Sequence, residues 1–290
     1  MNKISRIILL IVLALTPLVF YTLFNKKIGV KRDFARGAKQ AVSFNVTVGN
    51  ATAINASESP VPSFRPKIAI IFDDLGENLN DIREISSLKI PITISVIPGL
   101  RFSRNIAQIA FRCGFDILLH IPMEPEKGEK YRTDKYKFIS AASSKQENMS
   151  LLHYYLGYLK IAVGVNNHMG SKATQDRKLM ELVLGEVKKK NLFFIDSRTS
   201  SQSVACDVAR DKNVACGKNE GFIDISPREG DIIKHLIHFI EIAKTKEKII
   251  LIVHPKKNTF KALSEKIPEL KNEVDFITVK EYLKNNANDR

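Results

Sequence analysis

The chain has 290 residues, 44% hydrophobic and 26% charged, a length that fits one large α/β barrel or two smaller domains and a composition that excludes a disordered or collagen-like chain. The formal charge of +14 is uneven: residues 1–66 hold nine Lys/Arg against two Asp/Glu, and the remainder 36 against 29. The excess is densest beside the N-terminus, which points to an anionic membrane surface and away from nucleic acid.

After Lys3 and Arg6, residues Ile7 to Phe24 form 18 uncharged, largely apolar positions, enough to span a bilayer. The run ends Val-Phe-Tyr-Thr-Leu-Phe-Asn-Lys-Lys with no small-x-small cleavage site, so residues 1–24 read as an uncleaved signal anchor. Lys26, Lys27, Lys31, Arg32, Arg36 and Lys39 follow the span, and the positive-inside rule alone would leave the rest of the chain in the cytoplasm. Residues 25–66 have no sustained period and end in Pro60, Pro62 and Pro66, as a linker does.

From Lys67 short apolar runs alternate with capped helices. Ile68 to Phe72 has no polar face, so it predicts a strand covered on both sides, ending in Asp73 and Asp74. Strict alternation sends Asp74 to the side of Ile68, Ile70 and Phe72, and Asp73 to the other. A short helix is expected over Asn78 to Ser87 and a second strand over Ile92 to Ile97. Ser103 is expected to cap Arg104 to Cys113, with Gly114 as the stop. Phe115 to Leu119 predicts the third strand, ending in His120; Ser144-x-x-Glu147 is a capping box opening a helix to about Lys160. Ile161 to Val165 is the fourth strand, followed by Asn166-Asn167-His168, and Thr174 is expected to cap the next helix. Leu192 to Ile195 is the fifth strand, ending Asp196-Ser197-Arg198. A helix near Ser203 to Asp211 precedes a sixth strand near Phe222 to Ile225, which contains Asp224. Ser226-Pro227-x-Glu229 reads as a second capping box for a helix to about Lys244; Ile249 to Val253 is the seventh strand, ending in His254.

Seven strands separated by helices or long crossovers imply a parallel sheet. The first βα turn, Asp-Asp-Leu-Gly-Glu, lacks a glycine-rich phosphate loop, which argues against a dinucleotide site. A barrel is favoured over an open sheet because chemistry-bearing residues end many different strands: Asp73 and Asp74, His120, His168, Asp196 with Arg198, and His254. Carboxylate and neutral imidazole suit a divalent transition metal, zinc above all, and an ion would also relieve the repulsion of the Asp pair. Asp196 with Arg198 could orient a catalytic group or form a structural ion pair. No Gly-x-Ser-x-Gly elbow surrounds any serine.

Ile-Ala-Ile-Ile-Phe-Asp-Asp-Leu-Gly, Leu-Leu-His-Ile-Pro-Met-Glu-Pro, Gly-Val-Asn-Asn-His-Met-Gly-Ser, Phe-Phe-Ile-Asp-Ser-Arg-Thr and Ile-Val-His-Pro together resemble the divergent polysaccharide deacetylase family over about Lys67 to Pro268. The resemblance implies a deformed (β/α)7 barrel over residues 67–290, an acetylated envelope glycan as substrate and a metal-dependent site. It implies Asp73 as the base, Asp74 as a metal ligand and His254 as the general acid. It also implies a cell-envelope location, with the barrel on the periplasmic side of the inner membrane, against the charge bias. The wider superfamily's standard His-x-x-x-His departs here to His120 followed by Glu124. The third ligand is then His168 or Glu124, and His168 is favoured because Glu124 lies between Pro122 and Pro125 as turn chemistry would. A glycan- or protein-binding barrel without turnover is the alternative to a deacetylase.

Of three cysteines, Cys113 is expected to be a buried thiol on an apolar helix face. Cys206 and Cys216 could form a disulfide in an oxidising compartment.

Overall fold

The structure, a computed structural model, describes residues 64–126 and 135–284. The expected anchor, and the linker as far as residue 63, lie outside the described residues. Among those described, no helix is long and apolar enough to cross a membrane. The last linker residues are fastened to the fold: Arg65 pairs with Asp275 at 3.3 Å, and the Pro66 carbonyl accepts from the Asp275 N–H at 2.9 Å.

The strands are β1 (Lys67–Leu75), β2 (Thr93–Val96), β3 (Asp116–Met123), β4 (Gly164–Met169), β5 (Phe193–Asp196), β6 (Cys216–Phe222), β7 (Lys248–Val253) and β8 (Asp275–Ile277). The helices are α1 (Asn80–Ser87), α2 (Ser103–Arg112), α3 (Lys145–Tyr158), α4 (Arg177–Lys189), α5 (Ala205–Asp211), α6 (Glu229–Lys246), α7 (Lys257–Leu270) and α8 (Val279–Lys284). β1 to β7 pair in sequence order, all parallel, and β1 pairs with both β7 and β2, which closes a seven-stranded barrel. β8 is an addition that the sequence pattern did not predict. It pairs with Lys67 to Ala69 on β1, while β2 takes β1 from Ile71 onward.

The two faces of each strand sort into two cores, as period-two alternation requires. Ile68, Ile70, Phe72 and Leu75 pack outward with Ile106 and Ala110 of α2, Val183 and Val187 of α4, Leu236 and Ile240 of α6, and Leu263 and Ile267 of α7. Those helical residues recur at three- or four-residue spacing, so each helix turns one apolar stripe to the barrel. Inside, Ala69, Ile71, Leu118, Ile195, Ile250 and Ile252 form a second cluster with Val279, and Tyr282 and Leu283 of α8 pack against it. The amino-terminal end of the barrel is thereby filled, each buried Ile or Leu being worth roughly 1.5–3 kcal/mol. Gly164 lies at an inward position where a Cβ would come within 2.3 Å of the Phe193 ring, so the side chain is omitted to make room for that aromatic.

Local chemistry departs from expectation at several helix ends. The Ser144–Glu147 capping box forms as predicted, with Ser144 Oγ accepting from the Glu147 N–H at 3.2 Å. Ser103 is the first residue of α2 and not its cap; its buried hydroxyl donates to the Ile97 carbonyl at 2.6 Å. Thr174 belongs to a 3₁₀ turn, Ala173–Gln175, and Asp176 caps α4 by accepting from the Leu179 N–H at 3.0 Å. The second capping box does not form, because Ser226 Oγ donates to Asp231 at 2.6 Å and α6 begins after Arg228. β6 starts six residues before the expected Phe222, so Asp224 follows the strand instead of lying in it.

Cys113 is exposed, correcting the expected buried thiol: it caps the end of α2, beyond the stripe formed by Ile106 and Ala110. Cys206 on α5 and Cys216 on β6 are joined as a disulfide with a Cα–Cα separation of 5.5 Å. Denatured, non-reduced protein should therefore titrate one free thiol, and three would contradict the bridge. Closing so short a loop should stabilise the fold by about 2–3 kcal/mol in the chain-entropy picture, readable as a lower denaturation midpoint after reduction.

Candidate metal centre

Moving two residues along each strand from the apolar plug reaches Asp73, Ser95, His120, Asn166, Ser197, Asn219 and His254, one residue from each barrel strand or its end. Six of the seven are buried and His254 is partly exposed, so the carboxy-terminal mouth of the barrel is floored by a polar layer.

Asp73 faces inward as alternation demands, but Asp74 does not face outward. Its φ is +62° and the β1–β2 register shifts between Phe72 and Leu75. This left-handed residue costs on the order of 1–2 kcal/mol, which Asp tolerates better than most residues. The result is that both carboxylates reach the mouth. Asp74 Oδ1 lies 2.8 Å from His168 Nδ1 and 3.1 Å from His120 Nε2, and the two imidazole nitrogens are 3.2 Å apart. One ligand atom from each of the three residues falls within 4.8 Å of the others. A mixed carboxylate–imidazole set at this spacing fits a small divalent cation, so Asp74, His120 and His168 could hold a metal.

The outer contacts aim these ligands. His120 Nδ1 is 2.8 Å from Asn166 Oδ1, and His168 Nε2 is 2.6 Å from the Tyr136 hydroxyl. Asn166 Nδ2 donates to Asp73 Oδ1 at 2.9 Å, leaving Asp73 Oδ2 3.6 Å from His120 Nε2. At the end of the neighbouring β7, His254 Nδ1 donates to Asp224 Oδ1 at 3.0 Å, and its Nε2 lies 3.8 Å from Asp74 Oδ2. Asp224 is fully buried and also accepts from the His254 N–H at 2.9 Å and from Thr259 Oγ1 at 3.0 Å. Phe222 stacks on the His254 ring with centroids 6.0 Å apart.

Electrostatics separates the two neighbouring carboxylates. Burial pushes Asp73 above the usual carboxylate range, opposed by His120 and reinforced by Asp74. Burial would raise Asp74 too, but hydrogen bonds from His120 and His168 hold it well below that range. Asp74 is the permanent anion of the pair, and Asp73 is the one suited to taking up a proton. Burial disfavours charge on His254, yet the hydrogen bond to Asp224 and the nearby Asp74 carry its pKa above the ordinary histidine value.

The structure thus brings together Asp73, Asp74, His120, His168 and His254. It does not bring Asp196 or Arg198 among them. Asp196 has the opposite parity to inward-facing Ile195, and its carboxylate accepts from the Arg198 N–H at 2.8 Å within its own turn. Glu124 is also engaged elsewhere, with Lys172 at 2.5 Å, Ser140 Oγ at 2.5 Å and the Ala141 N–H at 3.0 Å. Sequence reasoning did not single out Asp224, Asn166 or Tyr136. Asp224 carried the available signal, a carboxylate just past a strand, but the misplaced sixth strand concealed it.

Residues 70–283 match a family model described as divergent polysaccharide deacetylase. An uncharacterized protein of Haemophilus influenzae is 30% identical over 211 residues, covering 73% of this chain and 74% of that one. The uncharacterized protein YibQ of Escherichia coli is 28% identical over 225 residues, covering 78% and 69%. The crystal structure of an uncharacterized Agrobacterium tumefaciens protein superposes with a TM-score of 0.69 at 21% identity, over 76% of this chain and 90% of that one, a likeness of fold.

Proposed function

The chain belongs to the divergent polysaccharide deacetylase family, and on that premise we propose that it hydrolyses acetyl groups from an envelope glycan with zinc held by Asp74, His120 and His168. The observation carrying this reading is the placement of a carboxylate, Asp73, 3.6 Å from His120 Nε2 and of an imidazole oriented by buried Asp224, His254, 3.8 Å from Asp74 Oδ2, both beside the ligand trio. When bound, a divalent ion supplies Lewis acidity toward an acyl carbonyl and toward water.

The chain's own groups supply the rest. Asp73, tethered through Oδ1, offers Oδ2 to the proton of the attacking water. As the new C–O bond forms and the bond to the sugar nitrogen or oxygen breaks, protonated His254 gives its Nε2 proton to the departing amine or alkoxide. Acetate and the free amine or hydroxyl are the products. Asp224 holds the His254 ring through Nδ1, so that Nε2 faces the reacting atoms.

Asp224→Asn supplies a prediction with a sign. Asp224 raises the His254 pKa, and activity needs His254 protonated, so the alkaline limb of kcat/KM should move to lower pH in the variant. An unmoved limb would contradict His254 as the acid.

The direct test is acetate release from an acetylated chitooligosaccharide or a peptidoglycan fragment, with and without chelator. Chelator-sensitive release is expected. A chain that takes up zinc but releases nothing from either substrate would favour the binding-barrel reading. We further propose that residues 7–24 anchor the barrel outside the cytoplasm; a C-terminal reporter active only in the cytoplasm would refute that.

A further inference from the structure

Asn166 is fully buried at the centre of the polar layer, and every hydrogen-bonding position of its carboxamide is taken. Oδ1 receives Ser95 Oγ at 2.5 Å and faces His120 Nδ1 at 2.8 Å; Nδ2 faces Asp73 Oδ1 at 2.9 Å and Ser197 Oγ at 3.3 Å. The orientation of this amide is fixed by its neighbours. A flipped amide would set its oxygen against the Asp73 oxygen, two acceptors in contact, whereas the observed one pairs a donor with an acceptor. With Oδ1 then committed as an acceptor, the nitrogen it faces on His120 must carry the hydrogen. Without a metal Nε2 also carries a hydrogen, which it gives to Asp74; once that proton yields to a cation, the lone pair is on Nε2, the atom that faces Asp74 and His168.

We propose that Asn166 is a positioning residue that serves both halves of the site with one side chain. Its oxygen selects the His120 tautomer that can ligate a metal, and its nitrogen ties down one oxygen of Asp73 so that the other, 3.6 Å from His120 Nε2, is presented to the reaction. An aspartate or glutamate could serve the first task but would repel Asp73 in the second, and a lysine or arginine could serve only the second. A carboxamide does both, and the shorter one fits between neighbouring strands, where His120 and Asn166 are register partners. The assignment rests on the metal-dependent hydrolase reading and adds a residue to it.

Two substitutions separate the two tasks. Asn166→Asp keeps the acceptor for His120 and loses the donor to Asp73; Asn166→Ala loses both. Zinc affinity, measured by competition with a chromogenic chelator, should fall about 10–100-fold in the Ala variant and stay at or above the parent value in the Asp variant. Acetate release should fall in both, on the order of 100-fold or more for the Asp variant despite its bound zinc. Nitrogen-15 NMR of zinc-free Asp74→Ala, in which no carboxylate is hydrogen-bonded to Nε2, at a pH where His120 is neutral, should place the hydrogen on Nδ1. If the parent takes up no zinc, the metal reading itself fails, while the tautomer measurement still decides the role of Asn166. Parent-like zinc affinity in the Ala variant, equal zinc loss in both variants, or His120 found with its hydrogen on Nε2 would each overturn the assignment.

Discussion

His254→Ala is expected to lower turnover by about 10²–10⁴-fold, the usual contribution of a positioned proton donor, while leaving bound metal unchanged. The geometry separates the two effects. His254 spends Nδ1 on buried Asp224, and its Nε2 stands 3.8 Å from the outer oxygen of Asp74, across from the oxygen that faces His120 and His168. Asp73→Asn should behave in the same way, because the Asp73 carboxylate comes no nearer to a ligand nitrogen than the 3.6 Å to His120 Nε2. Metal content and acetate release, measured on the same preparations, check both variants. Loss of metal on removing His254 would make it a ligand and leave the site without its acid.

His168→Ala should reduce zinc affinity by more than the 10–100-fold typical of residues that only support a ligand. Glu124→Gln should leave affinity unchanged. Glu124 is saturated by Lys172, Ser140 and the Ala141 N–H, and its carboxyl lies below the ordinary range because, against the effect of burial, those partners stabilise its charge. Its work is to fasten the loop after β3. His168, by contrast, is held by Tyr136 on one nitrogen and faces Asp74 with the other. The reverse outcome, affinity lost with Glu124 and kept without His168, would preserve a metal site but change its third ligand.

Much of the barrel was legible because β1, β3 and β7 are dominated by apolar runs that no surface strand would carry. β6 was not, since Cys-Gly-Lys-Asn-Glu-Gly-Phe places Gly217 and Asn219 at its inward positions and looks like a loop. The missed strand displaced Asp224 and hid the partner of His254. β8 was missed for another reason: three residues supported by pairing with β1 need little pattern of their own. Alternation correctly directed Asp73 and failed for Asp74, where a positive φ turns the side chain back to the mouth. The same alternation, counted from Ile195, would have excluded Asp196 from the lumen. Asn166 was quoted within a motif but not recognised, because a buried amide signals a network only once its four neighbours are known.

The measurement that bears most directly on the account is the divalent metal content of the purified protein at neutral pH, compared with that of Asp74→Asn. One zinc per chain is expected in the parent after equilibration and dialysis, with little retained in the variant. A parent that retains no divalent metal, or a variant that retains as much as the parent, would contradict a metal centre built on Asp74, His120 and His168.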